Sequence, residues 1–325
     1  MVRKLKELFN LTLSIGYFPR AYKIAILCLI QKEGKNPTDP INYRPISLLE
    51  VTGKILERII NDRLVKYLEE NGIMNNNQYG FRRGRGTQLA LATLYETIAL
   101  SQKEKHGCNV VCRDVKKAFD KVWHSGLKYK ILRLNLPDIF EKILCSFLEE
   151  RIAKIKIGDY VGPPIRLQSG VPQGSILSPT LYILFIADMP EPGPGCYVVG
   201  FADDITQVIT YPGKSKLMLA RRTSEEIKKI NDYEKSWKIQ TSKEKFKLIS
   251  ISALKPEQVM VDQQAVRFSN TSNILGLNIS SRGISAHVKL RERKARGQLQ
   301  QLKRFKKTDT SIQLHLYKTL VRPIM

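Results

Sequence analysis

The chain of 325 residues carries 54 Lys and Arg against 30 Asp and Glu, a net charge of +24, which points to a polyanionic partner, nucleic acid first and an anionic membrane surface second. Its 42% hydrophobic content suits a folded protein of one large domain or two to three subdomains, and excludes a disordered basic tail. No apolar run is long enough to span a bilayer, the N-terminus is no signal peptide, and the five cysteines have no His or Cys partners that complete a zinc set; no structural metal, disulfide or membrane contact is expected.

Residues 1–16 space Leu5, Leu8, Phe9, Leu11 and Leu13 as a short amphipathic helix. Residues 22–31 read as a strand that ends in Lys32-Glu33-Gly34-Lys35, and after a Pro-containing loop comes Asn42-Tyr43-Arg44-Pro45. Lys32 and Arg44 flank that loop as a point charge and a bidentate fork suited to a triphosphate, or as ordinary surface charge. Ile55, Leu56, Ile59, Ile60, Leu64 and Leu68 mark a helix over residues 50–70, Asn75-Asn76-Asn77 marks a turn, and a second helix covers 88–103. Between them Arg82, Arg83 and Arg85 stand among glycines, a pattern that lets guanidinium and backbone approach phosphates.

Residues 109–113 form a short strand that delivers Asp114, followed by a turn or short helix carrying Phe119, Asp120, Trp123 and His124. His124 reads as a packing or hydrogen-bonding residue, not a base. A helix is expected over 137–150, a strand over 152–157 and, past Gly162-Pro163-Pro164, a partner strand. The loop Gly170-Val171-Pro172-Gln173-Gly174-Ser175 opens an apolar helix over 180–189 and should present free backbone N–H groups to an anion or a base, with Ser178-Pro179 capping the helix. Tyr197-Val198-Val199, then Phe201-Ala202-Asp203-Asp204, then Ile205 to Ile209 read as strand, tight tip and returning strand. Adjacent aspartates at a tip repel each other, and a divalent cation would relieve that cost; a solvated Asp-Asp turn is the plain alternative. Beyond it lie an amphipathic helix over 217–238, a strand at 248–251, a hairpin around 259–268, one strand over 274–279, and basic helices from 285 that include Lys303 and Arg304 beside an apolar stripe of Leu299 and Leu302.

In this order Leu29-Ile30-Gln31-Lys32, Asn42-Tyr43-Arg44-Pro45-Ile46-Ser47-Leu48, Gly80-Phe81-Arg82 with Gly84-Arg85, Lys117-Ala118-Phe119-Asp120, Gly170 to Ser175 with Leu177-Ser178-Pro179, and the Phe-Ala-Asp-Asp box resemble the reverse transcriptases of non-LTR (LINE-type) retrotransposons, nearest to the jockey-like branch. The resemblance implies an α+β right-hand polymerase: fingers and a palm on an antiparallel sheet over residues 12–283, and the truncated start of a basic helical thumb over 284–325. It implies that Asp114 and Asp203 bind two Mg²⁺ (with Mn²⁺ as a substitute) and that Asp204 completes the acidic cluster. Lys32 and Arg44 would hold the incoming dNTP. Phe119 would be the steric gate against a 2′-hydroxyl, Gln173 and Gly174 would line the nucleotide and template pocket, and Lys245 could protonate pyrophosphate. Arg82, Arg83, Arg85, Lys303 and Arg304 would contact nucleic acid, and Gly276 would begin the primer-grip strand. Trp237 reads as core.

The implied partners are an RNA template, a DNA primer, dNTPs and, in the complete element, an endonuclease domain; the implied location is the nucleus, with a cytoplasmic ribonucleoprotein stage. Three departures stand out. Ser242 replaces a usual asparagine, Phe246 a common threonine, and Arg113 an apolar residue just before the first catalytic aspartate. A lone arginine in a buried strand is costly, so the chain is expected to bind template-primer but to be impaired in rate, and Arg113→Leu to raise its activity. The alternatives are an RNA-binding remnant without catalysis, and a viral RNA-dependent RNA polymerase, against which Phe119 argues.

Overall fold

The computed structural model, which describes residues 2–252 and 254–324, holds a five-stranded sheet, a four-stranded sheet, two small hairpins and the helices between them. Met325, the last residue of the expected thumb, lies outside the described residues. Helix α1 (Val2–Ile15) turns Phe9 and Thr12 inward. Strands β1 (Ile24–Gln31) and β2 (Tyr43–Leu48) form an antiparallel pair that sets Ile30 opposite Arg44. Helix α2 (Val51–Glu70) buries Leu56, Ile60, Leu64 and Leu68 on one stripe, and α3 (Thr87–Lys103) buries Ala90, Leu94 and Ile98. These are the i, i+4 and i, i+8 rows that a helix turns to one side.

Strand β3 (Gly107–Asp114) runs into a turn and then α4 (His124–Arg133), a helix that the apolar spacing did not announce, followed by α5 (Asp138–Leu148). Strands β4 (Ile152–Ile157), β5 (Tyr160–Val161) and β6 (Ile165–Arg166) complete the first sheet, whose order is β2-β1-β4-β5 with β6 also on β4. Within it β1 and β4 are parallel. Parallel neighbours need a long crossover, and here everything from β2 to α5 lies between them.

Helix α6 (Ser178–Phe185) is buried on all sides, starting and ending earlier than its apolar run suggested. Strands β7 (Cys196–Phe201) and β8 (Asp204–Tyr211), helix α7 (Lys216–Ser236) and strand β9 (Lys247–Ser250) give a second sheet of order β7-β8-β3-β9, antiparallel throughout, as a palm requires. Both faces are covered. Cys108, Val110 and Cys112 of β3 pack with Ala90, Leu94 and Ile98 of α3, while Val111 packs with Ile227 of α7. A strand with period-two faces and cover on both sides buries every residue, and β3 is buried from Gly107 to Arg113.

A small hairpin joins β10 (Val259–Val261) to β11 (Gln264–Val266). The single strand expected over 274–279 is instead a second hairpin, β12 (Thr271–Ile274) and β13 (Leu277–Ser280). Leu275 (φ 50°) and Gly276 (φ 87°) form its tip, the pair of left-handed residues that a two-residue hairpin turn demands. Gly276 is therefore a turn residue and does not begin a strand. Helix α8 (Ser285–Leu302) and α9 (Thr310–Leu316) follow, and α8 buries only Ala295. Among the described residues no helix is long and apolar enough to cross a membrane.

Candidate active site

The palm register sets Asp114 at the end of β3 opposite Asp204 at the start of β8, and Asp204 is also paired with Phe201 of β7. Asp203 stands at the tip between β7 and β8, and its carbonyl accepts the amide of Val115 (3.3 Å). Asp114 and the adjacent pair Asp203-Asp204, about ninety residues on, are thus brought to one end of one sheet. Their electrostatics bear the mark of crowding. Burial, then Asp203, then Asp114 push the Asp204 carboxyl up to about 6. Burial and Asp114 raise Asp203 as well. The Lys245 ammonium sits 2.8 Å from Asp114 Oδ1 and opposes both shifts. Among the described residues no three His, Cys, Asp or Glu side chains close round one point as a ready metal cage.

The tip has a clamp that no sequence motif announced. Ala202 takes a left-handed φ of 55°, which costs a residue with a Cβ roughly 1–2 kcal/mol. Gln78, 4% exposed, holds it there. Its Oε1 accepts the amides of Ala202 (2.9 Å) and Gly80 (2.8 Å), and its Nε2 donates to the Ala202 carbonyl (3.3 Å). The flanking backbone joins in: Tyr79 N donates to Gly200 O (2.7 Å) and Gly200 N to Asn77 O (2.8 Å). A Cβ on Gly80 would lie 2.4 Å from Ala202 N, so only glycine lets the strap lie this close. The one signal in the sequence was the glycine beside an otherwise unremarkable glutamine.

Arg113 is buried but not alone, which overturns the expectation of a lone charge. Its Nη1 donates to Asn231 Oδ1 (2.8 Å), its Nη2 to the Ile227 carbonyl (2.8 Å) and its Nε to Gln207 Oε1 (3.2 Å), and Glu234 lies 3.5 Å away. The guanidinium also stacks over the Phe246 ring at 5.2 Å. Burial lowers its pKa and Glu234 opposes that. Phe246, itself a departure, is thus the ring that covers Arg113. The departure at Ser242 is absorbed by the backbone, since it is the Ser242 amide that donates to Asp114 O (2.8 Å).

Arg44 stands on β2 and Lys32 just past the end of β1, with the Lys32 amide on Asn42 O (2.8 Å) and its ammonium on the Ile41 carbonyl (2.9 Å). Phe119 stacks on Tyr182 (centroids 5.2 Å, 21°) and meets Phe81 edge-on (6.1 Å, 89°), so its ring is held from two sides. Gln173 Nε2 donates to Asp120 Oδ1 (2.7 Å). Burial raises the Asp120 carboxyl, while Gln173, Lys117 and Lys32 pull it back down. Gly174 (φ +124°) lies against β2: a Cβ there would stand 2.6 Å from Ser47 O. Its glycine is required by this packing of the two segments.

The amides of Ile176 and Leu177 that lead from this loop into α6, expected to be open to an anion, are already taken. Glu57 of α2, 1% exposed, accepts from Ile176 N (2.6 Å), Leu177 N (3.3 Å) and Ser175 Oγ (2.6 Å). The cap of α6 is therefore Glu57 with Ser175, not Ser178. A buried carboxylate at a helix N-terminus gains from the dipole and the free N–H groups.

The basic residues divide. Arg82 is 8% exposed, with Nε and Nη2 on the two Glu69 oxygens (2.8 and 2.5 Å) and Nη1 on Asn75 O (2.7 Å). Its donors are committed inside the protein and it is corrected to a structural fork; its bond holds Glu69 below the ordinary carboxylate value. Arg85 hydrogen-bonds the Asn76 carbonyl and lies 5.4 Å over the Tyr79 ring, bracing the strap. Arg83 is exposed and pairs with Asp62 (3.1 Å). Lys303 and Arg304 are exposed in a turn after α8. His124 Nε2 donates to the Gly170 carbonyl (2.6 Å) and Trp237 packs on the core, both as read from the sequence.

The chain is 33% identical over 287 residues to a probable RNA-directed DNA polymerase from transposon X-element of Drosophila melanogaster, covering 86% of this chain and 31% of that protein. It is 37% identical over 247 residues to the RNA-directed DNA polymerase from mobile element jockey of the same fly, covering 73% and 26%. The chain thus spans about a third or less of the length of these curated relatives. The apo telomerase of Candida tropicalis truncated from its C-terminal domain superposes with a TM-score of 0.53 at 14% identity, over 81% of this chain and 54% of that one, and so shares the fold. The family model for reverse transcriptase (RNA-dependent DNA polymerase) matches residues 30–279, and the chain belongs to that family.

Proposed function

We propose that this chain is the polymerase core of a non-LTR retrotransposon protein and adds dNTPs to a primer 3′-hydroxyl on an RNA template. The observation that carries this reading is the in-register pairing of Asp114 with Asp204 beside the Asp203 tip. Three carboxylates with no imidazole or thiolate fit Mg²⁺, which prefers oxygen ligands and retains water and phosphate. The cation at Asp114, supplied by Lys245, marks where positive charge is stabilised. When bound by Asp114 and Asp203, with Asp204 beside them, divalent ions would activate the primer hydroxyl and neutralise charge on the departing pyrophosphate.

The chain's own residues do the rest by positioning, because phosphoryl transfer needs little covalent help. Lys32 and Arg44 hold the triphosphate. Phe119, wedged between Tyr182 and Phe81, closes the space a 2′-hydroxyl would need. Gln173 and Gly174 border the base and template. Lys245 stands ready to give a proton to pyrophosphate. Arg83, Lys303 and Arg304 offer exposed charge to the nucleic-acid backbone. In this reading residues 12–283 are fingers and palm, the thumb starts at 284, an endonuclease domain and a DNA primer complete the system, and the work is done in the nucleus after a cytoplasmic ribonucleoprotein stage.

Primer extension on oligonucleotide-primed RNA with Mg²⁺ and either dNTPs or rNTPs tests this. Extension is expected with dNTPs only, and none from Asp203→Ala, which keeps its affinity for template-primer. Equal extension by Asp203→Ala, or none by the unaltered chain, would end the proposal and leave nucleic-acid binding without catalysis.

A further inference from the structure

Arg113 sits one residue before Asp114 and joins three segments. Through Gln207 it meets β8, and through Ile227 and Asn231 it meets α7. Its fourth neighbour, Glu234, faces the other way as well: Glu234 Oε1 accepts from Thr241 Oγ1 (2.6 Å) and the Glu234 carbonyl accepts from Ile239 N (2.8 Å). Thr241 belongs to the loop between α7 and β9 that carries Lys245. That loop is bound along the catalytic strand by Lys116 N to Gln240 O (2.7 Å), by the bridge of Val115 with Thr241 and by Ser242 N to Asp114 O (2.8 Å). It ends with Lys245 Nζ on Asp114 Oδ1 (2.8 Å).

Between Ile239 and Phe246 the loop has no apolar side chain, so no hydrophobic contact of its own fixes residues 240–245. Packing alone does not call for a charge at position 113 either, because an apolar residue in such a place is commonly as stable as a buried ion pair. What an apolar residue cannot do is hold a carboxylate that in turn holds Thr241.

We infer that Arg113 and Glu234 are positioning residues that register the Lys245 loop against Asp114. The departure from the family pattern is then a device of this chain and not damage. The consequence for rate rests on the polymerase reading above; the consequence for the loop does not.

The test uses Arg113→Met with Glu234→Met, which removes both charges and avoids an unpaired buried carboxylate. The double variant is expected to melt at or above the temperature of the unaltered chain and to bind template-primer with unchanged Kd. Its single-turnover dNTP addition should nonetheless fall about tenfold to a hundredfold, the scale of a displaced catalytic group. Thr241→Val should fall in the same direction. In a Lys245→Met background the double variant should cost nothing further. By hydrogen exchange, the amides of Lys116 and Ser242 should lose protection in the double variant while those within β3 keep it. Recovery of rate together with stability, losses that multiply with Lys245→Met, or unchanged protection of the two amides overturns the inference. If the unaltered chain extends no primer, the polymerase reading fails, and the exchange measurement alone still decides whether the pair registers the loop.

Discussion

At the palm tip the residues that brace the backbone beside the acids are shut in and bonded: Gln78 is 4% exposed with three hydrogen bonds, and Arg113 is 3% exposed with three more, while Lys245 on Asp114 stays exposed. Along α8 the reverse holds, for it buries only Ala295, and its basic side chains lie at the surface, as Arg296 does beside Glu292. The contrast fits the two tasks of the proposed function. Charge that must meet a reacting phosphate in one geometry has to be preorganised in a site with little water, whereas charge that grips a backbone of any sequence works through counterion release and needs only exposure.

The sharpest way to break the comparison is at Arg113. Arg113→Leu leaves Glu234 buried without its partner and should destabilise the chain by about 3–5 kcal/mol, read from denaturant unfolding, with lower activity instead of the gain first expected. A stable, faster enzyme would mean that the buried network at the tip carries no weight. Next comes Gln78→Leu, which strands the amides of Ala202 and Gly80 and should cost about 1–3 kcal/mol. Combining it with Ala202→Gly, which removes the left-handed penalty, should recover part of the loss in a double-mutant cycle.

The third prediction concerns pH. Asp204 holds its proton more tightly folded, at about 6 against an ordinary 3.8, so between those values the folded state binds more protons than the unfolded one. Stability therefore falls as pH rises from about 4 to about 6 and levels off above. Asp204→Asn should flatten that slope in thermal melts, and Mg²⁺ should raise the melting temperature chiefly above pH 6. The smallest effect belongs to the basic turn after α8. Lys303→Ala with Arg304→Ala should leave stability untouched, weaken template-primer binding equally for all sequences, and reduce the slope of log K against log salt by roughly 0.7–0.9 for each phosphate no longer neutralised.

Much of the fold could be read from local pattern. Helices α2, α3 and α7 announced themselves by apolar stripes, and the Asp203–Asp204 tip by two apolar runs that closed on it. Helix α4 did not, because Gly126 and Lys130 are among its four buried residues and break the apolar count. Lys130 is buried against the Trp237 ring at 3.7 Å and paired with Asp188. The parallel pairing of β1 with β4 was invisible, since no local signal reports which distant strand a strand will join. At the site, the acids were legible by type and order. The clamps were not: Gln78, Glu57 and Glu234 are ordinary polar residues whose roles exist only through partners distant in the chain or across a turn.

The sequence by itself determined the chemistry on offer, namely three aspartates, a ring at Phe119, a surplus of positive charge and the order in which they come. Those are properties of side chains and of local periodicity, which survive in any conformation. Only the tertiary structure decided which charges are free and which are committed. Arg82 and Arg113 look like surface and liability in the linear text, yet both are inside and satisfied, because the free energy of a buried charge is set by the groups that fold around it.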